Sequence, residues 1–164
     1  MNISPGTILI STPTVDDPNF EQVVILITEY NDKGASGFVI NKLFSRKLNE
    51  LIEFKHSKAF PLFEGGPVEK ESLYFIHQCP DLIDGGMFIV DSIYLGGNFE
   101  QAVKYISNDT IDESDIRLFV GYCGWDPGQL EEEIQESSWV ITDIDAQTVF
   151  AHPDKIHQLL FPAL

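Results

Sequence analysis

Basic side chains are scarce in this chain. Ten lysines and arginines stand against 26 aspartates and glutamates, for a formal net charge of −16. Nucleic-acid affinity comes largely from neutralised phosphates, so a surface this acidic argues against a polyanionic partner. Cysteine is scarcer still. Cys79 and Cys123 are the only two, and they form neither a C-x-x-C pair nor a zinc-ligand spacing. Free thiols in a reducing cytoplasm are the simplest reading. The histidines, His56, His77, His152 and His157, show no H-x-x-x-H or H-E-x-x-H pattern, so no metal site is expected, and no cofactor motif accompanies them. No run approaches the ~18 apolar residues of a membrane span. The opening "MNISPGTILI" has no basic n-region and no long apolar stretch, so no secretory signal is expected.

What the chain does have is material for one core. At 164 residues with 43% hydrophobic content and 12 phenylalanines, it is expected to form a single domain over residues 1–164. "QVVILIT", Gln22–Thr28, is a continuous β-branched run and reads as a strand buried on both faces. "NDKG" is a turn, and "SGFVIN" a second strand able to close a hairpin with the first. Strands are also expected at "PLFE", "SLYFIHQC", Met87–Val90 and "IRLFVGYCG". Leu48, Leu51 and Ile52 are spaced as on a short helix over Lys47–Phe54. Asn98 is placed to cap another helix, with Gln101 able to reach back as in a capping box. "TPTVDDPN", with Asp16 and Asp17, reads as turn chemistry rather than a cation loop.

The charges are unevenly spread. Lys42, Arg46, Lys47, Lys55 and Lys58 are half of all the bases, whereas residues 109–145 hold eleven acids and one base, Arg117. Two solvated faces would account for this. A charged surface for docking a protein is the functional alternative. A second alternative is a DNA contact through the Lys47–Phe54 helix, although no helix-turn-helix pattern supports it.

"GYCGWDPGQLEEEI", residues 121–134, concentrates the unusual chemistry. Asp126 can cap a helix with Pro127 at its first position. Leu130 and Ile134 would face inward, and Glu131, Glu132 and Glu133 would face water. The stretch resembles a nucleophile elbow around Cys123, but Trp125 stands where the second glycine is required. Tyr122 and Trp125 can plug a core or stack on a ligand. "EGGPV", with Gly65, Gly66 and Pro67, can form a tight turn or an anion nest. A small hydrolase with a site near Gly65–Pro67 and Gly121–Asp126 is the enzymatic alternative. Phe63, Tyr122 and Trp125 are the aromatic candidates for contact with a partner.

Four blocks in order carry a resemblance over almost the whole chain: "GTILISTPTVDDPNFEQVVILITEYNDKGASGFVIN", "FEGGPVE", "GYCGWDPGQLEEEI" and "SSWV". Together they resemble the YqgE/AlgH family of bacterial proteins. The resemblance implies an α+β fold, with a bifurcated or partly closed mixed β-sheet flanked by helices. It implies no established activity and no catalytic residues, and some members bear a transcriptional-regulator label. This chain departs from the pattern at Lys42–Leu43, where the family often has Arg–Pro, and at Cys123, where relatives commonly carry alanine. The expectation is a non-enzymatic module that acts through an unknown protein partner.

Overall fold

A computed structural model describes residues 2–15 and 17–161. Asp16 lies outside the described residues, so its place in the predicted turn stays open. Ten strands form one connected sheet: β1 Ile8–Ser11, β2 Val24–Asn31, β3 Gly34–Val39, β4 Leu43–Lys47, β5 Pro61–Glu64, β6 Val68–His77, β7 Met87–Val90, β8 Ile93–Leu95, β9 Ile116–Trp125 and β10 Trp139–Thr142. The main path runs β10-β1-β2-β3-β9-β6-β8-β7, with β5 branching from β9 and β4 pairing β5. Every pair is antiparallel except β5 with β9. Among the described residues, four α-helices flank it: α1 Phe99–Ser107, α2 Gln129–Gln135, α3 Ala146–Val149 and α4 Pro153–Leu160. The fold is therefore α+β with a bifurcated mixed sheet. Its two end strands do not pair, although Val90 of β7 packs against Gly6 just ahead of β1.

The predicted hairpin is present, with β2 and β3 joined at Asp32–Lys33. The side-chain oxygen of Asn31 accepts from the Lys33 amide at 2.8 Å and shapes the turn. β2 is buried on both faces because it separates two cores. Val24 and Leu26 enter an inner cluster with Phe38, Phe119 and Val149. Ile25 and Ile27 enter a second cluster with Trp125, Leu130 and Trp139. A third cluster lies on the other face of β9, where Ala102 and Ile106 of α1 pack on Leu118 and Val120.

Two local expectations are corrected. Residues 47–54 form no α-helix: Lys47 ends β4, and two 3-10 turns follow at Leu48–Glu50 and Ile52–Phe54. Leu48 alone of the three spaced apolar residues is fully buried, while Ile52 is 86% exposed. Ile52 is left in solvent and Leu51 is only partly buried, so a continuous helix has no fully apolar face to bury. Asn98 does cap α1, accepting from the Gln101 amide at 2.9 Å. Gln101, however, does not reach back. Its side chain accepts from the Asp84 amide and donates to the Asp84 carboxylate, fastening the 84–86 loop to the helix.

Arg117 enters the inner core and is only 2% exposed. Its guanidinium donates to the carbonyls of Val149, Phe150 and Ala151 at the end of α3, and lies 4.2 Å over the Phe63 ring. Burial lowers it to about 10, which leaves it charged at neutral pH. A cation at a helix C-terminus also meets the negative end of the helix dipole. Replacing Arg117 by methionine keeps much of the volume but leaves three carbonyls without their donor. Arg117→Met should therefore destabilise the fold by about 3 kcal/mol in urea unfolding. A loss within error would show that the carbonyls do not need the guanidinium.

Candidate functional site

The glycine blocks "EGGP" and "GYCGW" meet on β9, and their meeting creates the main concavity. The first half of β9 pairs β6 on one edge and β5 on the other, through Leu62↔Leu118 to Glu64↔Val120. Its last residues pair β3 instead, through Ala35↔Trp125 to Gly37↔Cys123. Gly65 joins the two regimes, donating its amide to the Val120 carbonyl and accepting from the Val39 amide. The changeover falls at Gly121, with φ +73°. A Cβ there would lie 2.4 Å from the Gly66 carbonyl oxygen, so only glycine fits. The left-handed conformation at Gly121 also shifts the alternation. Phe119 faces the inner core and Cys123 the second cluster, with Tyr122 returned to the inner side.

Beyond this changeover the sheet forks, and a cleft of about 870 Å³ opens between β3 and β6 over the tail of β9. Tyr74 and Tyr122 meet edge to face in it, with centroids 5.5 Å apart and planes at 79°. Phe38 lies 5.9 Å from Tyr74. The Tyr74 hydroxyl donates to the Glu69 carboxylate at 2.5 Å. That bond, with a smaller contribution from burial, raises the phenol to about 12. Glu69 sits at φ +51°, in the left-handed region, where β6 loses its register with β9 between Val68 and Leu73.

Each sequence candidate now has a place. Tyr122 lines the cleft and is half-buried. Trp125 lines it too but is 6% exposed, so it is a wall rather than a presented ring. Its indole N–H and that of Trp139 both donate to one Glu133 oxygen, at 3.0 and 2.8 Å. Phe63 is 3% exposed beneath Arg117 and offers no surface to a partner, which corrects that expectation. Gly65 and Gly66 are buried, and Pro67 is exposed beside Lys42 in a smaller recess. Arg46, Lys47 and Lys55 are exposed, while Lys58 pairs with Asp109. These five basic residues are not part of the main cleft. Tyr74 and Glu69 went unread as site residues, because the β6–β9 pairing that brings them to Tyr122 is non-local.

The helix start is also corrected. Asp126 does not cap α2. The helix begins at Gln129 behind Gly128, which has φ +85°. The Gln129 side chain instead accepts from the Asp126 amide at 2.9 Å. Nor do Glu131 and Glu133 simply face water: Glu131 accepts from the Tyr30 hydroxyl, and Glu133 holds the two indoles.

Cys123 is 1% exposed, and its thiol donates to the Gly65 carbonyl at 3.4 Å. Burial pushes it up to about 12. His77 is equally enclosed. Its Nε2 is 2.9 Å from the Gly96 carbonyl, and its Nδ1 accepts from the Cys79 amide at 3.0 Å. Burial lowers its pKa, so the ring is a neutral structural bridge with neither nitrogen spare for a thiol. Among the described residues, no group of three or more His, Cys, Asp or Glu side chains could hold a metal ion, and no helix is long and apolar enough to cross a membrane. With the thiolate suppressed, iodoacetamide at pH 8 should leave Cys123 unmodified in the native protein and label it on unfolding. Peptide mapping by mass spectrometry checks this, and rapid native labelling of Cys123 would contradict the packing.

A family model described as AlgH-like matches residues 8–160. A UPF0301 protein of Cytophaga hutchinsonii is 37% identical over 158 residues, covering 95% of this chain and 87% of that one. One from Chlorobaculum tepidum is 36% identical over 148 residues, covering 90% and 79%. The solution structure of the AlgH protein from Pseudomonas aeruginosa superposes with a TM-score of 0.77 at 24% identity, covering 98% of this chain and 89% of that one. A crystal structure from Corynebacterium diphtheriae gives 0.75 at 21% identity, covering 93% and 82%. Those two likenesses concern the fold alone. By the family match and the sequence relatives, the chain belongs to the AlgH-like, UPF0301 family.

Proposed function

We propose that this protein is a non-enzymatic binding protein that acts through a protein partner, and that the partner docks in the cleft between β3 and β6. The observation that carries the reading is the cleft's composition. Its side chains include the rings of Tyr74, Tyr122 and Phe38, and neither cysteine nor histidine lines it. Nucleophilic and acid–base chemistry usually needs a reactive group aligned with a base. Cys123 and His77 are each tied to backbone groups elsewhere. Tyrosine supplies large contact area at little conformational cost, which suits recognition.

An intracellular setting belongs to this reading, because both cysteines are free thiols. Regulation is its finer form: a module without chemistry of its own acts by occupying a partner. The basic residues 42–58 then serve as a solvated face, since the turns at 48–54 offer no helix to a DNA groove.

A photo-crosslinking amino acid placed at Ser36, in the cleft wall, tests this in cells. It should capture a discrete protein, and adding Tyr122→Ala should remove most of the adduct. The same group at exposed Ile52 should not capture that protein. Capture from position 52 but not 36, or an adduct indifferent to Tyr122→Ala, would refute docking in the cleft.

A further inference from the structure

The charges around the cleft are as one-sided as those of the whole chain. Glu29, Glu69 and Asp126 line it against a single cation, Lys33. The protein as a whole carries −16. Field lines concentrate in a cleft with low-dielectric walls, so the interior attracts cations and repels anions. The aromatic corner points the same way. Tyr74 and Tyr122 are both half-buried and stand at 79° with centroids 5.5 Å apart, whereas Phe38 beside Tyr74 is buried. Aromatic rings lining a cleft can hold a guanidinium or ammonium through their π faces. Glu69 strengthens the corner twice. Its carboxylate accepts from the Tyr74 hydroxyl and makes that ring more electron-rich, and its charge adds to the negative field of the cleft.

We infer that the group recognised in the cleft is the guanidinium or ammonium of a basic, extended segment of the partner, seated against Tyr122, Tyr74 and Glu69. This rests on the protein-partner reading above and names the chemistry recognised at the same site. The shape of the cleft favours a chain over a free amine. At about 870 Å³ it exceeds what one cationic group fills, and it is open to solvent. One wall is strand β3. The other is β6, whose residues 69–72 have left the ladder with β9.

The test uses defined probes and the full chain. A blocked seven-residue Ser/Val peptide with one central arginine is titrated beside its citrulline twin, which keeps the shape and loses the charge. Spermidine and tetramethylammonium are titrated separately. The arginine peptide should bind about 5-fold or more tighter than the citrulline peptide, as a cation–π contact backed by a carboxylate predicts. Glu69→Gln and Tyr122→Leu should each weaken it about 5-fold. Tyr122→Phe, which keeps the π face, should bind like the parent, and thermal melts of all three variants check that they fold. Equal binding of the citrulline peptide, no detectable binding of the arginine peptide, or indifference to both weakening variants overturns the inference. Spermidine or tetramethylammonium matching the arginine peptide would also overturn it, in favour of a small amine. A Ser36 adduct that survives Glu69→Gln unchanged would sink this inference while leaving the protein-partner reading in place. Absence of any Ser36 adduct would sink that reading instead.

Discussion

One backbone crossing underlies the architecture: Gly121 of β9 lying against the carbonyl of Gly66. Strand β9 must pair β5 and β6 along its first half and β3 along its last residues. A regular strand keeps its alternation, and keeping it here would send the aromatic side chains after residue 120 to the wrong faces. The left-handed residue at 121 inserts the needed shift, and its missing side chain lets two main chains touch. Gly65 and Gly66 do the same from the other chain, since a Cβ on either would strike a carbonyl of Gly121 or Tyr122. The two glycine motifs, 55 residues apart, are therefore halves of one joint.

Three features follow from that joint. The three hydrophobic clusters all include residues of β9, so the strand unifies the core. The fork beyond residue 121 opens the cleft, and Tyr122 is the first side chain past the bend to enter it. Trp125, three residues on, is carried to the opposite cluster, where Glu133 of α2 holds it together with Trp139. The same carboxylate that looked like a solvated helix charge is thus a bridge between the end of β9 and β10. Arg117 is the complementary case near the other end of β9. The single base of the acid-rich segment is consumed inside the core, and the surface is left more one-sided in charge than the count suggests.

Local chemistry made much of this legible from sequence. The β-branched run of β2, the Asn31–Gly34 turn, the Asn98 cap and the strands expected at 72–79 and 116–124, observed at 68–77 and 116–125, follow rules that act within a few residues. The four sequence blocks carried the family and with it the bifurcated sheet. What escaped reading depends on partners distant in sequence. The 48–54 region has helical spacing but packs as separate turns: Leu48 is fully buried, Leu51 and Phe54 pack in part against the third cluster, and Ile52 is left in solvent. Gln101 chose Asp84 over its own helix. At residue 126 the reason is local: Gly128 takes the cap position, and the Gln129 side chain accepts from the Asp126 amide. Of the residues that line the cleft, Tyr122 and Trp125 were among the sequence candidates. Tyr74 and Glu69 were not, because no spacing within "VEKESLY" reveals that β9 will lie beside it. Phe63 failed as a surface candidate for the same reason, since nothing near it in sequence announces Arg117.

The crossing can be probed by one methyl group. Gly121→Ala forces a Cβ to within 2.4 Å of the Gly66 oxygen at a backbone angle that disfavours alanine. Gly124→Ala is the matched control, in the same strand but with its nearest neighbour 3.5 Å away on the Tyr122 ring. Urea unfolding of both variants is the most direct measurement. The crossing predicts that Gly121→Ala costs about 3 kcal/mol or more, and Gly124→Ala about 1 kcal/mol or less. Equal and small losses for the two variants would contradict it, and with it the joint on which the fork and its cleft depend.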